Sequence, residues 1–166
     1  CHSVAVGPYA LQNQNFTTAT DSYNVGVGYN AGGSITTGTG NTFVGGRAGD
    51  NTVDGINNTA VGYEALGVDS AGDNSAFGVY ALNLATGVDN TAVGAVSGAY
   101  VTSGTNNTFL GHDAGRAGSP GGAISTGSNE VCIGDENVTE AHIQVDWTIA
   151  SDKRDKTDVT PMEMGL

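Results

Sequence analysis

The chain has 166 residues and a formal net charge of −12, yet only 13% of its residues are charged. Its lysines and arginines number five in total, which excludes the basic surface that a nucleic-acid partner requires. No apolar run approaches the roughly 20 residues that cross a bilayer, so membrane insertion is excluded as well. We therefore expect a hydrated, weakly acidic surface rich in Asn, Thr, Ser and Gly.

One short motif returns along almost the whole chain, and its central copy is residues 58–66, Asn-Thr-Ala-Val-Gly-Tyr-Glu-Ala-Leu. Aligning the copies on their glycine gives successive spacings of 21, 17, 17, 16, 16, 17 and 23 residues. The aligned glycines are Gly7, Gly28, Gly45, Gly62, Gly78, Gly94, Gly111 and Gly134. Self-similarity at a nearly constant short period is typical of a repeat protein.

The residues before each glycine form rows of distinct chemistry. Asparagine usually lies four positions before it and a Val or Thr three before it, which is typical of a short strand with two unlike faces. We expect the large apolar row directly before the glycine to point into a core. That row is Val6, Val27, Val44, Val61, Phe77, Val93, Leu110 and Ile133. The row two positions before the glycine is Ala5, Gly26, Phe43, Ala60, Ala76, Ala92, Phe109 and Cys132.

The residues after each glycine predict how one strand leads to the next. Glycine reaches left-handed backbone angles without steric cost, so the chain can turn sharply there. A small residue three positions later predicts that neighbouring backbones approach closely at that corner. These residues are Ala10, Ala31, Ala48, Ala65, Ala81 and Ala114. Linkers rich in Gly, Thr, Ser, Asp and Asn then close each coil.

The fold class predicted from this pattern is all-β, a parallel β-solenoid or β-roll rod of about 40 Å at ~4.8 Å per strand. A coil of 16 or 17 residues encloses little volume, and the chain has only four Phe and one Trp. We therefore expect an intertwined homotrimer in which Ala, Phe and Val rows of sister chains meet around an axis. A monomeric solenoid with capped ends is the alternative.

The chain divides into three parts. Residues 1–140 hold the glycine-punctuated array, with a loop inserted at residues 118–123. The sequence begins with Cys1 rather than Met, from which we expect a truncated chain, with a lipid-modified cysteine as the alternative. Residues 141–150 alternate without glycine and predict a terminal strand or cap that includes Trp147. The composition then becomes charged, which marks a domain boundary before residues 151–166.

The pattern predicts neither a metal site nor a cofactor. The three histidines show no ligand spacing with one another or with either cysteine. Cys132 lies in a row mostly occupied by alanine, so we expect a small, buried, inert side chain. Asp69 and Asp73 can share a cation in a turn, but we expect them to hydrogen-bond their own turns instead.

The charged stretch carries a resemblance to a known family. Trp147 followed by Ser151-Asp152-x-Arg154-x-Lys156 resembles the opening of the intramolecular chaperone of endosialidase-type phage tailspikes and tail fibres. The repeats look like the arrays that commonly precede that domain, and they are similar to the left-handed β-roll heads of trimeric autotransporter adhesins. The resemblance implies that residues 151–166 begin a domain that trimerises the fibre, guides its folding and then releases itself.

The resemblance also implies a single self-cleavage, at the bond between Ala150 and Ser151. In the family a serine–lysine pair cuts the chain just before the serine, which assigns the nucleophile to Ser151 and the base to Lys156. A serine hydroxyl attacks only when a base takes its proton, and a desolvated lysine can be that base. Asp152 and Arg154 are expected to support the pair. The other interpretation is that this stretch is a solvated linker.

The function implied is that of a structural shaft and attachment protein of a bacteriophage tail fibre, located extracellularly on the virion. Its expected partners are two further copies of itself, other tail or baseplate proteins, and a glycan or protein receptor on the host surface. Aromatic side chains just after the turns can stack on sugars. The residues predicted to contact a receptor in this way are Tyr29, Tyr63, Tyr80 and His112.

Two other classes of function stay open at this stage. A cell-surface trimeric adhesin or an extracellular filament subunit would use a similar roll. A polysaccharide depolymerase would need carboxylates that converge in a groove, and the glutamates here are few and scattered. We therefore expect no turnover enzyme.

Overall fold

The computed structural model describes residues 2–142, which form eight three-residue strands and no helix. The strands are β1 (Val4–Val6), β2 (Val25–Val27), β3 (Thr42–Val44), β4 (Thr59–Val61), β5 (Ser75–Phe77), β6 (Thr91–Val93), β7 (Thr108–Leu110) and β8 (Val131–Ile133). They form one parallel sheet in the order β1 to β8, so each coil of the chain lies directly on the preceding one. The predicted all-β solenoid is confirmed. Nothing in residues 2–142 is a helix long and apolar enough to span a membrane.

The register of the sheet follows the sequence repeat, residue for residue. In the pairing of β4 with β5, Thr59 is opposite Ser75 and Val61 is opposite Phe77. The 23-residue copy keeps the same register, since Leu110 of β7 is opposite Ile133 of β8. Differences in repeat length are therefore absorbed by the linkers alone. Residues 143–166, which include most of the predicted terminal strand and all of the predicted C-terminal domain start, lie outside the described residues.

The buried face of the sheet is not the one predicted. The row two positions before the glycine fills the inside of each coil, and Ala60, Ala76 and Phe109 are 0% exposed. The row directly before the glycine faces outward, with Phe77 42% and Val93 45% exposed. The prediction that this row points into a core is therefore wrong for the single chain. The prediction that the Ala and Phe rows of sister chains meet around an axis is also wrong, because each chain buries that row inside its own coils. Alternation places the two rows on opposite faces, but it does not say which face is inside.

The narrow core is packed by pairs of large and small residues. Where the inner row holds Phe43, the facing column four positions after the turn glycine holds Gly32 and Gly49. A Cβ atom added at Gly49 would lie 2.5 Å from the Phe43 ring. Beside Ala60 and Ala76 of the inner row, the same column holds the buried Leu66 and Leu82. A large residue in one column is therefore packed against small ones in the other, which explains how coils this small exclude water.

This packing predicts a reciprocal rescue. Phe43→Ala should lower the free energy of unfolding by about 3–5 kcal/mol, because it leaves a cavity between two glycines. Gly49→Leu alone should also destabilise the chain, because the new side chain overlaps the Phe43 ring. The two changes together should recover part of the loss, since Leu66 holds the same position at a similar φ of 52°. Chemical denaturation of the four proteins measures the coupling, and additive losses would contradict this account.

The asparagines four positions before each glycine form a buried ladder that the sequence did not reveal. The Asn24 Oδ1 atom accepts the backbone N–H of Asn41 at 2.9 Å, and Asn41 Oδ1 accepts that of Asn58 at 2.9 Å. The Asn41 side-chain amide also donates to the Gly55 carbonyl of the next coil at 2.7 Å. The members of the ladder, all at most 1% exposed, are Asn24, Asn41, Asn58, Asn74, Asn90 and Asn107.

This ladder satisfies backbone groups at the strand ends, where the parallel sheet alone leaves them unpaired. Asn58 is its irregular member, because its Nδ2 atom is buried without a hydrogen-bond partner within the described residues. The coil is one residue shorter there, and the Gly72 carbonyl accepts the Asn74 side chain at 2.9 Å instead.

The turn glycines have two separate reasons to be glycine. Gly62 has a φ of 140° and Gly78 a φ of 143°, which lie outside the backbone region that other residues adopt comfortably. In addition, a Cβ atom on Gly62 would lie 2.4 Å from the Gly78 carbonyl oxygen of the next coil. The predicted close approach three residues later is confirmed as well, since Ala65 and Ala81 are 0% exposed.

Candidate binding surfaces

The outward face of the sheet carries a continuous apolar row, which we call the apolar ladder. It consists of Val6, Val27, Val44, Val61, Phe77, Val93, Leu110 and Ile133. Neighbouring members are paired one to one by the parallel register, so they form rungs about 4.8 Å apart. The rungs at the ends and centre of the row are well exposed, from 36% at Val61 to 56% at Val6.

The surroundings of the apolar ladder are uncharged. The row beside it on the same face is Val4, Val25, Thr42, Thr59, Ser75, Thr91, Thr108 and Val131. No charged residue therefore occupies an outward position in any of the eight strands of residues 2–142. A continuous exposed apolar row with uncharged surroundings is typical of surfaces that bind a partner.

The predicted receptor residues lie at separate places along one rim of the rod. The Tyr63 and Tyr80 rings meet edge to face, with 5.7 Å between their centroids. Tyr29 makes the same kind of contact with Tyr9, at 5.6 Å, and Tyr9 was not among the predicted residues. Tyr29, Tyr63 and Tyr80 are all exposed, at 56%, 44% and 38%. The structure thus supports their accessibility but does not gather them into one site.

His112 belongs to a different environment from the tyrosines. Its Nδ1 atom lies 3.5 Å from Asp113 Oδ2 and 3.7 Å from Asp135 Oδ2, although Asp135 is one long coil away in sequence. The three groups place donor atoms within 4.8 Å of one another, a proximity that spacing in the sequence did not predict. Both carboxylates already have partners, since Asp113 pairs with Arg116 and Asp135 accepts the Asn137 side chain at 3.0 Å.

The Asn137 contact also sets the charge state of this cluster. The side-chain amide of Asn137, and then its backbone N–H at 2.9 Å, lower the pKa of the Asp135 carboxyl below its ordinary value. His112 lowers this pKa further, to a smaller degree. Asp135 is therefore held in its charged form.

Asp69 and Asp73, the two aspartates that could share a cation in a turn, instead form hydrogen bonds between coils. Asp69 Oδ1 accepts the backbone N–H of Val53 at 2.9 Å, and Asp73 Oδ1 accepts the Asn57 amide at 3.1 Å. Both bonds join neighbouring coils, so the expectation that these aspartates serve their own turns is wrong. Cys132 is a free thiol and is 1% exposed, so its predicted burial is confirmed.

Tyr100 is an exposed aromatic residue that the sequence analysis did not select. It is 48% exposed and lines two adjacent surface cavities, of about 220 Å³ and about 350 Å³. The Arg116 guanidinium lies 5.9 Å from the centre of its ring. Tyr100 can be found in the sequence by aligning the residues that lie six positions after each turn glycine. In the first coils these residues are polar, and in the coils around Tyr100 they are apolar.

The predicted self-cleavage site lies outside the described residues. Ser151 and Lys156, with the supporting Asp152 and Arg154, therefore stay predictions. No protein-family model, curated protein or solved structure matches the chain.

Proposed function

We propose that the chain is a shaft segment of an extracellular fibre, of the kind that phage tail fibres use to reach the host surface. In this proposal three copies associate in parallel along the rod axis. The observation that carries the proposal is the apolar ladder, a continuous apolar row on the outer face of the sheet, with six of its eight rungs exposed and Val27 and Val44 half-buried.

The geometry of the apolar ladder favours copies of the same chain as its partner. Rungs repeat with the strand spacing, and only another solenoid with the same period can match every rung along the rod. Parallel copies related by a rotation axis bring each rung against its own counterpart, such as Phe77 against Phe77.

The width of the apolar ladder supports three copies rather than two. Two flat faces pressed together would bury both outward rows equally. Over the central coils the apolar row is only one residue wide, because the neighbouring row there is Thr or Ser, as at Thr59 and Thr91. Val4, Val25 and Val131 widen it only near the two ends. When several copies share one axis, the single apolar row of each copy can face the axis while the polar row beside it stays towards water.

A rod of this kind suits mechanical and attachment roles. Coils held by sister chains must separate together, which slows unfolding and protects the fibre from proteases. Three copies also present each receptor contact three times, which strengthens attachment without stronger individual contacts.

Immunogold electron microscopy with antibodies against residues 2–142 tests the proposed location. Particles and cells from the native source should show label on slender fibres attached to virions. Purified protein should show narrow rods. Label confined to the cell envelope would contradict the tail-fibre assignment and would favour the cell-surface adhesin.

A further inference from the structure

We propose that the surface around Tyr100 binds a neutral oligosaccharide, with one sugar ring in each of the two cavities that Tyr100 lines. The inference rests on the proposed attachment function and names the class of receptor that it serves. The surface, which we call the Tyr100 groove, consists of the two cavities that share this residue. The first is lined by Tyr80, Asn83, Leu84, Val96, Ala99 and Tyr100. The second is lined by Tyr100, Arg116, Ala117, Ala123 and Ser125.

The groove arises from a local change in the repeat. Stacked coils place equal repeat positions above one another, and the position six residues after the glycine lies on the rim. In the first coils this position is polar, at Asn13, Ser34 and Asn51. In the later coils it becomes Val68, Leu84, Tyr100 and Ala117. The apolar stretch is therefore a feature of the later coils and not a requirement of the solenoid, whose earlier coils fold with polar residues there.

The groove offers the surfaces that a sugar ring needs. A pyranose has an apolar face of C–H groups and a rim of hydroxyls, and a tyrosine ring presents an apolar face with a polar tip. Leu84 is 41% exposed and Tyr80 38% exposed, so the first cavity has accessible apolar walls. Its volume of about 220 Å³ and the 350 Å³ of its neighbour are small, which suits single rings rather than a folded partner.

Fixed polar groups lie beside these apolar walls. The Asn83 side-chain amide donates to the Glu64 carbonyl at 2.8 Å, which holds this amide in place at the wall of the first cavity. In the second cavity Arg116 is held by Asp113 and offers several N–H donors, with the Ser125 hydroxyl nearby. Sugars are recognised by such a combination of a stacking surface and a few oriented hydrogen-bonding groups.

The backbone of the first cavity is strained. Val96 has a φ of 61°, in a left-handed region that β-branched residues avoid. The same repeat position is Asn30, Arg47 or Asp113 in other coils, none of them β-branched. The positive φ itself belongs to the repeat, because it recurs at this position from Tyr9 to Asp113, so what distinguishes this coil is the β-branched apolar side chain at the wall of the cavity.

Charge favours a neutral ligand over an acidic one. The chain carries a net charge of −12, so an anionic polysaccharide is repelled as it approaches. The Arg116 charge in the groove is balanced by Asp113, and Glu136 is close enough to influence Arg116 as well. The groove therefore offers no excess positive charge to an acidic sugar.

Saturation-transfer NMR on the native assembly tests the inference with four probes, namely maltohexaose, cellohexaose, N-acetylchitohexaose and the acidic hexamer of galacturonic acid. At least one neutral hexamer should bind, and the acidic hexamer should bind more weakly. Tyr100→Ala should weaken binding by about tenfold or more, because it removes the stacking surface shared by both cavities. Tyr100→Phe should retain binding, and Tyr9→Ala, an exposed tyrosine outside the groove, should leave it unchanged.

The inference is overturned if no neutral hexamer binds, if the acidic hexamer binds best, or if Tyr100→Ala binds as tightly as the unaltered protein. The native mass of each variant is measured in parallel. A three-chain assembly that binds no sugar would refute the Tyr100 groove and leave the fibre proposal standing. A single-chain protein that binds sugar through Tyr100 would support the Tyr100 groove and refute the fibre proposal.

Discussion

Gly78→Ala is expected to destabilise the array by about 4 kcal/mol or more, a loss at the upper end of what single substitutions cause. Gly78 has a φ of 143°, which an alanine adopts only with strain. The new Cβ atom would also lie 2.3 Å from the carbonyl oxygen of Gly94 in the next coil. Relief requires the two coils to move apart, and that movement breaks the sheet hydrogen bonds between them. Thermal and chemical denaturation measure the loss.

Two control substitutions separate the causes. Gly46→Ala should be tolerated, because its Cβ atom would meet only the Tyr63 ring, at an ordinary 3.5 Å. Gly121→Ala should show the backbone cost alone, because Gly121 has a φ of 87° and nothing lies within 4 Å of the added atom. A Gly78→Ala protein as stable as the Gly46→Ala protein would contradict the close stacking of coils described above.

Phe77→Asp is expected to convert the proposed three-chain assembly into single chains. Phe77 is a central rung of the apolar ladder, and it is 42% exposed in the single chain. In a parallel trimer three aspartates would face one another near the axis, where like charges removed from water repel strongly. The isolated coil should stay folded, because the side chain points away from its own core. Native mass spectrometry measures assembly, and circular dichroism measures folding.

Val79→Asp is the matched control for this change. Val79 lies just after the turn, outside the apolar ladder, and its exposure of 44% is nearly equal to that of Phe77. Val79→Asp should therefore leave the number of chains in the assembly at three. Phe77→Leu should also assemble, because Leu110 already occupies another rung. Equal behaviour of the two aspartate variants would show that the apolar ladder is not the contact between copies.

The strands and their order could be predicted from the sequence because one motif encodes both. Each strand ends directly before an aligned glycine, as β4 does at Val61 and β5 does at Phe77. A constant motif at a nearly constant period allows only one register between neighbouring coils. Insertions such as the 23-residue copy do not disturb it, because they fall in linkers outside the sheet.

The buried face could not be predicted from alternation alone. The larger side chains of the row with Val61 and Phe77 favour that row as the core, yet the coil is too narrow for a large residue at every level. The chain instead buries alanine opposite Leu66 and Leu82, and it buries Phe43 opposite glycine. Recognising this requires comparing two columns of the repeat at once, because a large residue in one column is packed against small residues in the other.

The candidate sites were harder to predict than the fold because they join different coils. The contact of His112 with Asp135 spans a long linker, and its partners are set by where that linker returns. Tyr100 is inconspicuous in its own copy and becomes informative only beside Leu84 and Arg116 of the neighbouring coils. The rim residues Tyr63 and Tyr80 are accessible, as predicted, because each lies just after a turn at the edge of its coil.

The mass of the native assembly, measured in solution without denaturant, tests most directly whether sister chains cover the outward apolar row. We expect three times the mass of one chain, unchanged on dilution. A protein that sediments and ionises as one chain, with that row in contact with water, would contradict the account.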